Sequence, residues 1–197
     1  MRIAGVIIAG GSSSRMGREK ALAMLAGKAL LSHVIERIAS QATAVVINAN
    51  GDSERFAAFG LTVIADRLTE IGTPLAGLHA ALSFAREEGF DAVLTVPSDA
   101  PFLPRDLTPR LAKVHSAAVI AASGGQQHFL TGLWSHALLE ALEAAIRDGG
   151  VVRVKDWAKS CGAAVVDWPD EPYDPFFNVN TPEDLAEARR IAAGFHS

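Results

Sequence analysis

Several stretches of the chain carry side chains suited to phosphate chemistry. The first is Gly10-Gly11-Ser12-Ser13-Ser14-Arg15-Met16-Gly17-Arg18-Glu19-Lys20. Adjacent glycines let a backbone approach a ligand without side-chain collision, and consecutive amides and small hydroxyls then cradle phosphate oxygens. Arg15 adds a planar fork and Lys20 a mobile point charge. The spacing matches neither the Gly-Lys-Ser/Thr phosphate loop nor the Gly-x-Gly-x-x-Gly dinucleotide fingerprint. The second stretch is Pro97-Ser98-Asp99-Ala100-Pro101, a carboxylate in a loop stiffened by two prolines. Such a carboxylate can hold Mg2+ while the metal bridges substrate phosphates. It can equally satisfy turn amides. Asn48, Asn50 and Asp66 supply amides and a carboxylate able to read a base edge or a ribose, although Asn50-Gly51-Asp52 is also turn chemistry. Asn178 and Asn180 would share one face of a strand. Helix-entry capping is their other use, but Thr181 fits that role better.

The elements around these residues alternate between strand and helix. Residues 2–9 form an unbroken apolar run after Arg2 and end at Gly10-Gly11, as a buried parallel strand would. Further strands are expected over 44–48, 61–65, 91–96, 117–121, 127–134, 163–167 and 176–178. Helical spacing of apolar residues predicts helices over 29–41, 75–88, 107–115 and 137–147, with a short one over 151–159. The last helix begins with Thr181 as cap, Pro182 at the first helical position, and Glu183 and Asp184 at the positive dipole end. Alternation with short connections implies an α/β sandwich whose sheet is covered on both faces. Ligands then bind beyond the carboxyl ends of the strands. The chemistry-bearing residues above all follow strand ends.

Composition narrows the partners. The chain has 197 residues, 49% hydrophobic and 20% charged, with a net charge of −4. That excludes a disordered chain and argues against nucleic acid or an anionic membrane as the main partner. Cys161, the one cysteine, can form neither an internal disulfide nor a zinc cluster. The apolar start is too short for a membrane span and lacks a signal-peptide layout, so a cytoplasmic protein is expected. Within the acidic total, residues 1–28 carry five cations (Arg2, Arg15, Arg18, Lys20, Lys28) against Glu19. That basic island reads either as a local anion site or as an uneven solvated surface.

The loop Ala9-Gly10-Gly11-x-x-x-Arg15-Met16-Gly17-x-x-Lys20 resembles the signature of nucleotidyltransferases that move a nucleoside monophosphate from a triphosphate. Four further segments resemble one branch, the molybdenum cofactor guanylyltransferases. They are Val46-Ile47-Asn48-Ala49-Asn50, Pro74-Leu75-Ala76-Gly77, Pro97-Ser98-Asp99-Ala100-Pro101 and Phe177-Asn178-Val179-Asn180-Thr181-Pro182-Glu183-Asp184. The set spans Ile3 to about Leu185, so a single nucleotidyltransferase domain over 1–197 with no appended domain is expected. The resemblance implies a Rossmann-like three-layer α/β sandwich with a mainly parallel mixed sheet, of the nucleotide-diphospho-sugar transferase type.

It also implies GMP transfer from GTP to molybdenum-molybdopterin, with Mg2+ on Asp99. Ile8, Ala9, Gly10, Gly11, Lys20, Asn48, Asp66, Gly77 and Asp99 would bind the nucleotide. Arg15, Lys20 and Asp99 would carry catalysis, and Asn178, Asn180 and Arg153 would meet the pterin. Gly10 favours guanine by lacking a methyl, a preference worth about 1–3 kcal/mol. CMP transfer to the same acceptor, or a non-catalytic nucleotide- or cofactor-binding protein, are the alternatives. One departure stands out: His128 is followed by Phe129 where the family often has His-Pro. A monomer or weak oligomer that hands its product to molybdoenzymes or their chaperones completes the expectation.

Overall fold

β1 (Ile3–Ile8) is buried at every position, as its continuous apolar run requires. In this computed structural model, which describes residues 1–9 and 20–194, it is the third strand, an interior one, of a seven-stranded sheet. β1 lies parallel to β4 (Ala44–Asn48) on one side and to β6 (Ala92–Pro97) on the other. β5 (Thr62–Ile64) extends the parallel set beyond β4. β8 (Gln126–Ser135) runs antiparallel to both β6 and β7 (Ala118–Ser123), and β9 (Ala164–Trp168) is parallel to β7. The order is β5-β4-β1-β6-β8-β7-β9, so the sheet is mixed but mainly parallel.

Helices cover both faces. α1 (Leu30–Ile38) and α3 (Leu107–Ala112) pack Leu31, Val34, Ile38, Leu107 and Leu111 over Ile7, Ile47 and Leu94. α2 (Pro74–Glu88), α4 (Leu139–Gly149) and α5 (Val154–Ser160) cover the opposite face, where Val6, Ile8 and Val93 meet Leu75, Leu78, Leu142 and Trp157. Among the described residues, no helix is long and apolar enough to cross a membrane.

One expectation needs correction, and two regions hold elements that the sequence did not announce. Residues 176–178 do not form a strand. The burial does not alternate as a strand's would: Phe176 and Val179, three residues apart, are buried, while Asn178 and Asn180 are exposed. The backbone instead follows the edge of the site, and Val179 N donates to the Asp99 carbonyl at 2.9 Å. Residues 20–29, most of which received no assignment from the sequence, contain a one-turn 3-10 helix (Lys20–Leu22) and a hairpin of β2 (Met24–Leu25) and β3 (Lys28–Ala29). Residues Ser53–Phe59 also form a 3-10 helix, capped by Asp52.

The hairpin is held by a third, small core. Leu25, Leu30 and Phe102 pack with Val179 and with Ala188 of α6 (Pro182–Gly194). That cluster binds the segment after β1 to the segment before α6. β8 carries a pronounced bulge: Ile120 pairs with Gly132 but Ala121 pairs with His128. The extra residues 129–131 arch out of the ladder. Gly132 anchors the arch, because a Cβ there would lie 2.8 Å from the Val119 carbonyl and 3.1 Å from the Trp134 ring.

Candidate active site

The carboxyl ends of β1, β4 and β6 open side by side. Ile8 pairs with Asn48 on one flank and Pro97 on the other. Ala9 N donates to the Asn48 carbonyl at 2.8 Å, and Ser98 N to the Ile8 carbonyl at 3.2 Å. The loops after these strands therefore start within one ladder rung of each other. Because the chain leaves β1 toward β4 and later returns to β6 on the other side, this is where the topology switches direction. Gly10, Gly11 and Arg15, expected to cradle phosphate here, lie outside the described residues.

On the β6 side, Lys20, Asp99 and Asn180 converge. Lys20 Nζ donates to Asn180 Oδ1 at 2.7 Å. Asp99 is half-buried, and burial pushes its carboxyl above the ordinary range. The Lys20 charge and a backbone hydrogen bond pull it back down, while the Asp184 charge adds to the rise. Asp184 was read from the sequence only as a dipole partner. It is also the capping-box acid of α6: its Oδ2 accepts from Asn180 N and Thr181 N, each at 2.9 Å, and its own N donates to Thr181 Oγ1 at 3.1 Å. The Thr-x-x-Asp spacing was the signal for that role. The cap fixes the backbone of Asn180, and so the amide oxygen facing Lys20. Asn178 is exposed on the same segment, one buried valine away.

On the β4 side the polar groups are already bonded to one another. Asn48 is 1% exposed; its Nδ2 donates to Asp66 Oδ1 at 2.9 Å and to the Ile64 carbonyl at 3.3 Å. Asn50 Nδ2 donates to Asp66 Oδ2 at 2.7 Å, and Asp66 N returns a bond to Asn50 Oδ1 at 2.9 Å. Gly77, on the first turn of α2, sits against this network. A Cβ at that position would stand 2.5 Å from Asn48 Oδ1 and 3.2 Å from Ile8. The close approach of helix to amide explains the glycine. Thr73 and Pro74 set the helix start, with Thr73 Oγ1 accepting from Leu75 N.

Arg153 stands apart. It precedes α5, is 70% exposed, and forms a two-pronged pair with Asp156 (Nε to Oδ2 2.7 Å, Nη2 to Oδ1 3.2 Å). Its neighbour Val152 accepts from Thr73 Oγ1, so it lies near the α2 start. Among the described residues, none of its bonds reaches Lys20, Asp99 or Asn180.

A cation, a half-buried carboxylate and amide oxygens at the ends of parallel strands can align anions and neutralise developing charge. Asp99 and the Asn180 amide are hard oxygen donors, the type that suits Mg2+, which takes one or two carboxylates and leaves other positions to phosphates and water.

Comparison with known proteins agrees. The family model described as "MobA-like NTP transferase domain" matches residues 5–178. A molybdenum cofactor guanylyltransferase of Nitrobacter hamburgensis is 43% identical over 196 residues, 96% of this chain and 94% of that one. One of Cereibacter sphaeroides is 42% identical over 97% of both chains. Among solved structures, molybdopterin-guanine dinucleotide biosynthesis protein A from Archaeoglobus fulgidus superposes with a TM-score of 0.75 at 26% identity, covering 98% of this chain and 100% of that chain. A CMP:2-keto-3-deoxy-manno-octonic acid synthetase in complex with CTP shares the fold at a TM-score of 0.77 and 14% identity, over 99% of this chain and 100% of that one.

Proposed function

We propose, since the chain belongs to the MobA-like NTP transferase family, that it transfers GMP from GTP to molybdenum-molybdopterin, releasing pyrophosphate and forming the guanine dinucleotide cofactor. Near-full-length relatives at 42–44% identity carry that activity in their names. The geometric observation that carries the reading is Lys20 Nζ on Asn180 Oδ1, next to half-buried Asp99, at the switch point of the sheet.

In this reading the terminal phosphate of the pterin attacks the α-phosphorus of GTP in line. The new P–O bond forms as the bond to the β-phosphate oxygen breaks, and pyrophosphate leaves with the electron pair. The acceptor phosphate is ionised at neutral pH, so the protein need not supply a strong base. Lys20 sits where negative charge accumulates and stabilises it. Arg15 and the backbone of residues 10–14 bind the triphosphate. Asn48, Asp66, Ile8, Ala9 and Gly77 shape the nucleoside side. Asn178 and Asn180 face the acceptor, and Arg153 offers a cation to it once released from Asp156.

Nucleotidyltransferases generally use a divalent metal, and we assign Mg2+ to Asp99, with Asn180 as the nearby amide donor. Bound there, it would supply a Lewis acid that neutralises phosphate charge. A single nucleotidyltransferase domain over 1–197, a cytoplasmic location, a monomer or weak oligomer, and handover to molybdoenzymes or their chaperones belong to the same proposal.

The test is pyrophosphate release with GTP, CTP and ATP, each with and without loaded molybdopterin. Release with GTP, dependent on acceptor, is expected. Faster release with CTP reassigns the base, and no release with any nucleotide leaves a binding protein.

A further inference from the structure

Behind the acceptor-facing asparagines lies a buried polar chain that the reaction does not use. Ser123, at the end of β7, is 2% exposed. Its Oγ is 2.7 Å from Asp174 Oδ1 and 2.7 Å from His128 Nε2. A hydroxyl has one proton to give. Given to the Asp174 carboxylate, it leaves the His128 contact a hydrogen bond only if Nε2 carries the ring proton and donates to Oγ. The ring is half-buried, and burial depresses its pKa against the opposing charges of Asp174 and Asp167. A neutral imidazole protonated on Nε2 satisfies every bond in the chain.

The chain ends on the segment that leads to the site. Asp174 Oδ1 also accepts from Phe176 N at 2.9 Å, and the Asp174 carbonyl accepts from Phe177 N at 3.1 Å. The His128 ring packs against Phe176 at 4.6 Å, tilted by 32°, and Trp168 meets the Phe176 ring edge-on at 5.4 Å. Three residues on, Val179 N holds the Asp99 carbonyl, and Asn180 meets Lys20. The bulge of β8 is what brings His128 here, since a regular ladder would continue the Ile120–Gly132 register.

We infer that Ser123, His128 and Asp174 form a positioning relay that sets residues 176–180 and thereby the reach of Asn178 and Asn180 to the acceptor. None of the three touches Lys20 or Asp99 among the bonds described. They act through the segment they hold. The acceptor-side meaning rests on the GMP-transfer reading, whereas the relay itself is a statement about bonding in the free protein.

Two measurements separate these. Nitrogen-15 spectra of the unmodified protein at pH 7 should show His128 neutral and protonated on Nε2. A neutral ring protonated on Nδ1, which leaves Nε2 without a proton for Ser123, overturns the relay with no activity needed, whereas a cationic ring keeps the Nε2 proton and the bond. In backbone amide spectra, Ser123→Ala and Asp174→Ala should shift Phe177, Asn178 and Asn180. Asp174→Asn, which retains Oδ1 as acceptor, should leave them near their original positions. Kinetically, Ser123→Ala should raise the acceptor KM by roughly ten-fold, a fraction of what a misplaced group can cost. The GTP KM should stay within about two-fold, and Asp174→Asn should recover most of the loss. Equal loss for both substrates, or unmoved amides in Ser123→Ala, would show that the chain only stabilises the fold. If the unmodified protein releases no pyrophosphate from GTP with acceptor, the GMP-transfer reading falls and the spectra still decide the relay.

Discussion

The two flanks of β1 are prepared for a ligand in opposite ways. On the β4 side, Asn48, Asn50 and Asp66 satisfy one another before anything binds, and Gly77 is fitted against them with no room for a methyl. On the β6 side, Asp99 is held half-buried with its carboxyl pushed up by burial, and the Lys20 charge only partly offsets that. The first flank is a finished shape, the second an electrostatic debt that a bound cation and phosphates would relieve. A selective pocket benefits from rigidity, because discrimination by shape fails if the walls yield. A transfer centre benefits from charges already in place, because they need no reorganisation as the reaction proceeds.

Substitutions on the two flanks should therefore fail differently. Asp99→Asn should cost the most activity, several kcal/mol of transition-state stabilisation at saturating Mg2+. Yet it should melt higher than the parent in metal-free buffer at pH 7. The raised carboxyl binds its proton more tightly in the folded state, so its ionisation opposes folding as pH climbs past the unfolded value. The gap should narrow as pH falls toward 4, and Mg2+ should raise the parent's melting temperature alone. A lower melting temperature for Asp99→Asn at pH 7 would break the contrast.

Lys20→Ala comes next, with kcat lowered about 10²–10³-fold and folding little changed. Full GMP transfer by that variant would remove the cation from the mechanism.

Gly77→Ala should show the reverse pattern. Displacing Asn48 from its bonds should cost about 1–3 kcal/mol in denaturant unfolding and raise the GTP KM, with kcat at saturation less affected. A neutral result would mean that the finished flank yields easily.

Arg153→Ala marks the lower bound. Its pair with Asp156 is exposed, so stability should change by less than about 0.5 kcal/mol. A raised acceptor KM would sharpen the comparison by adding a third region.

The finished flank was also the more legible one in the sequence. Strand ends at Asn48 and Asp66 followed from apolar runs that stop at polar residues, and the Pro74–Gly77 segment stood out through its resemblance to the guanylyltransferases. The sheet itself was readable because β1, β4 and β6 are largely buried on both faces and so carry mainly apolar runs, interrupted in β6 only by Thr95. What stayed hidden was set by tertiary pairing. β2 and β3 are two residues each, too short to express a period, and exist because Leu25 docks against Val179 and Ala188. Residues 176–180 have a strand-like sequence but neither a strand's partner nor a strand's burial period. The joining of Ser123 to Asp174 spans 51 residues and depends on a bulge that local pattern does not encode. Asp184 was visible as a dipole partner of α6, but neither as its capping acid nor as a neighbour that raises Asp99.

The bond between Lys20 and Asn180 joins residues 160 positions apart. During synthesis at about 5–20 residues per second, Lys20 is made roughly 8–32 s before its partner exists. The nascent chain can assemble its central strands in that interval, but it cannot complete the charged flank. On the proposed roles of Lys20 and Asn180, catalytic competence then arrives only after α6 leaves the ribosome and its cap fixes Asn180. A translation product interrupted before α6 would thus carry a formed sheet without the Lys20–Asn180 bond, and on the proposed roles activity would report only on chains that extend through α6.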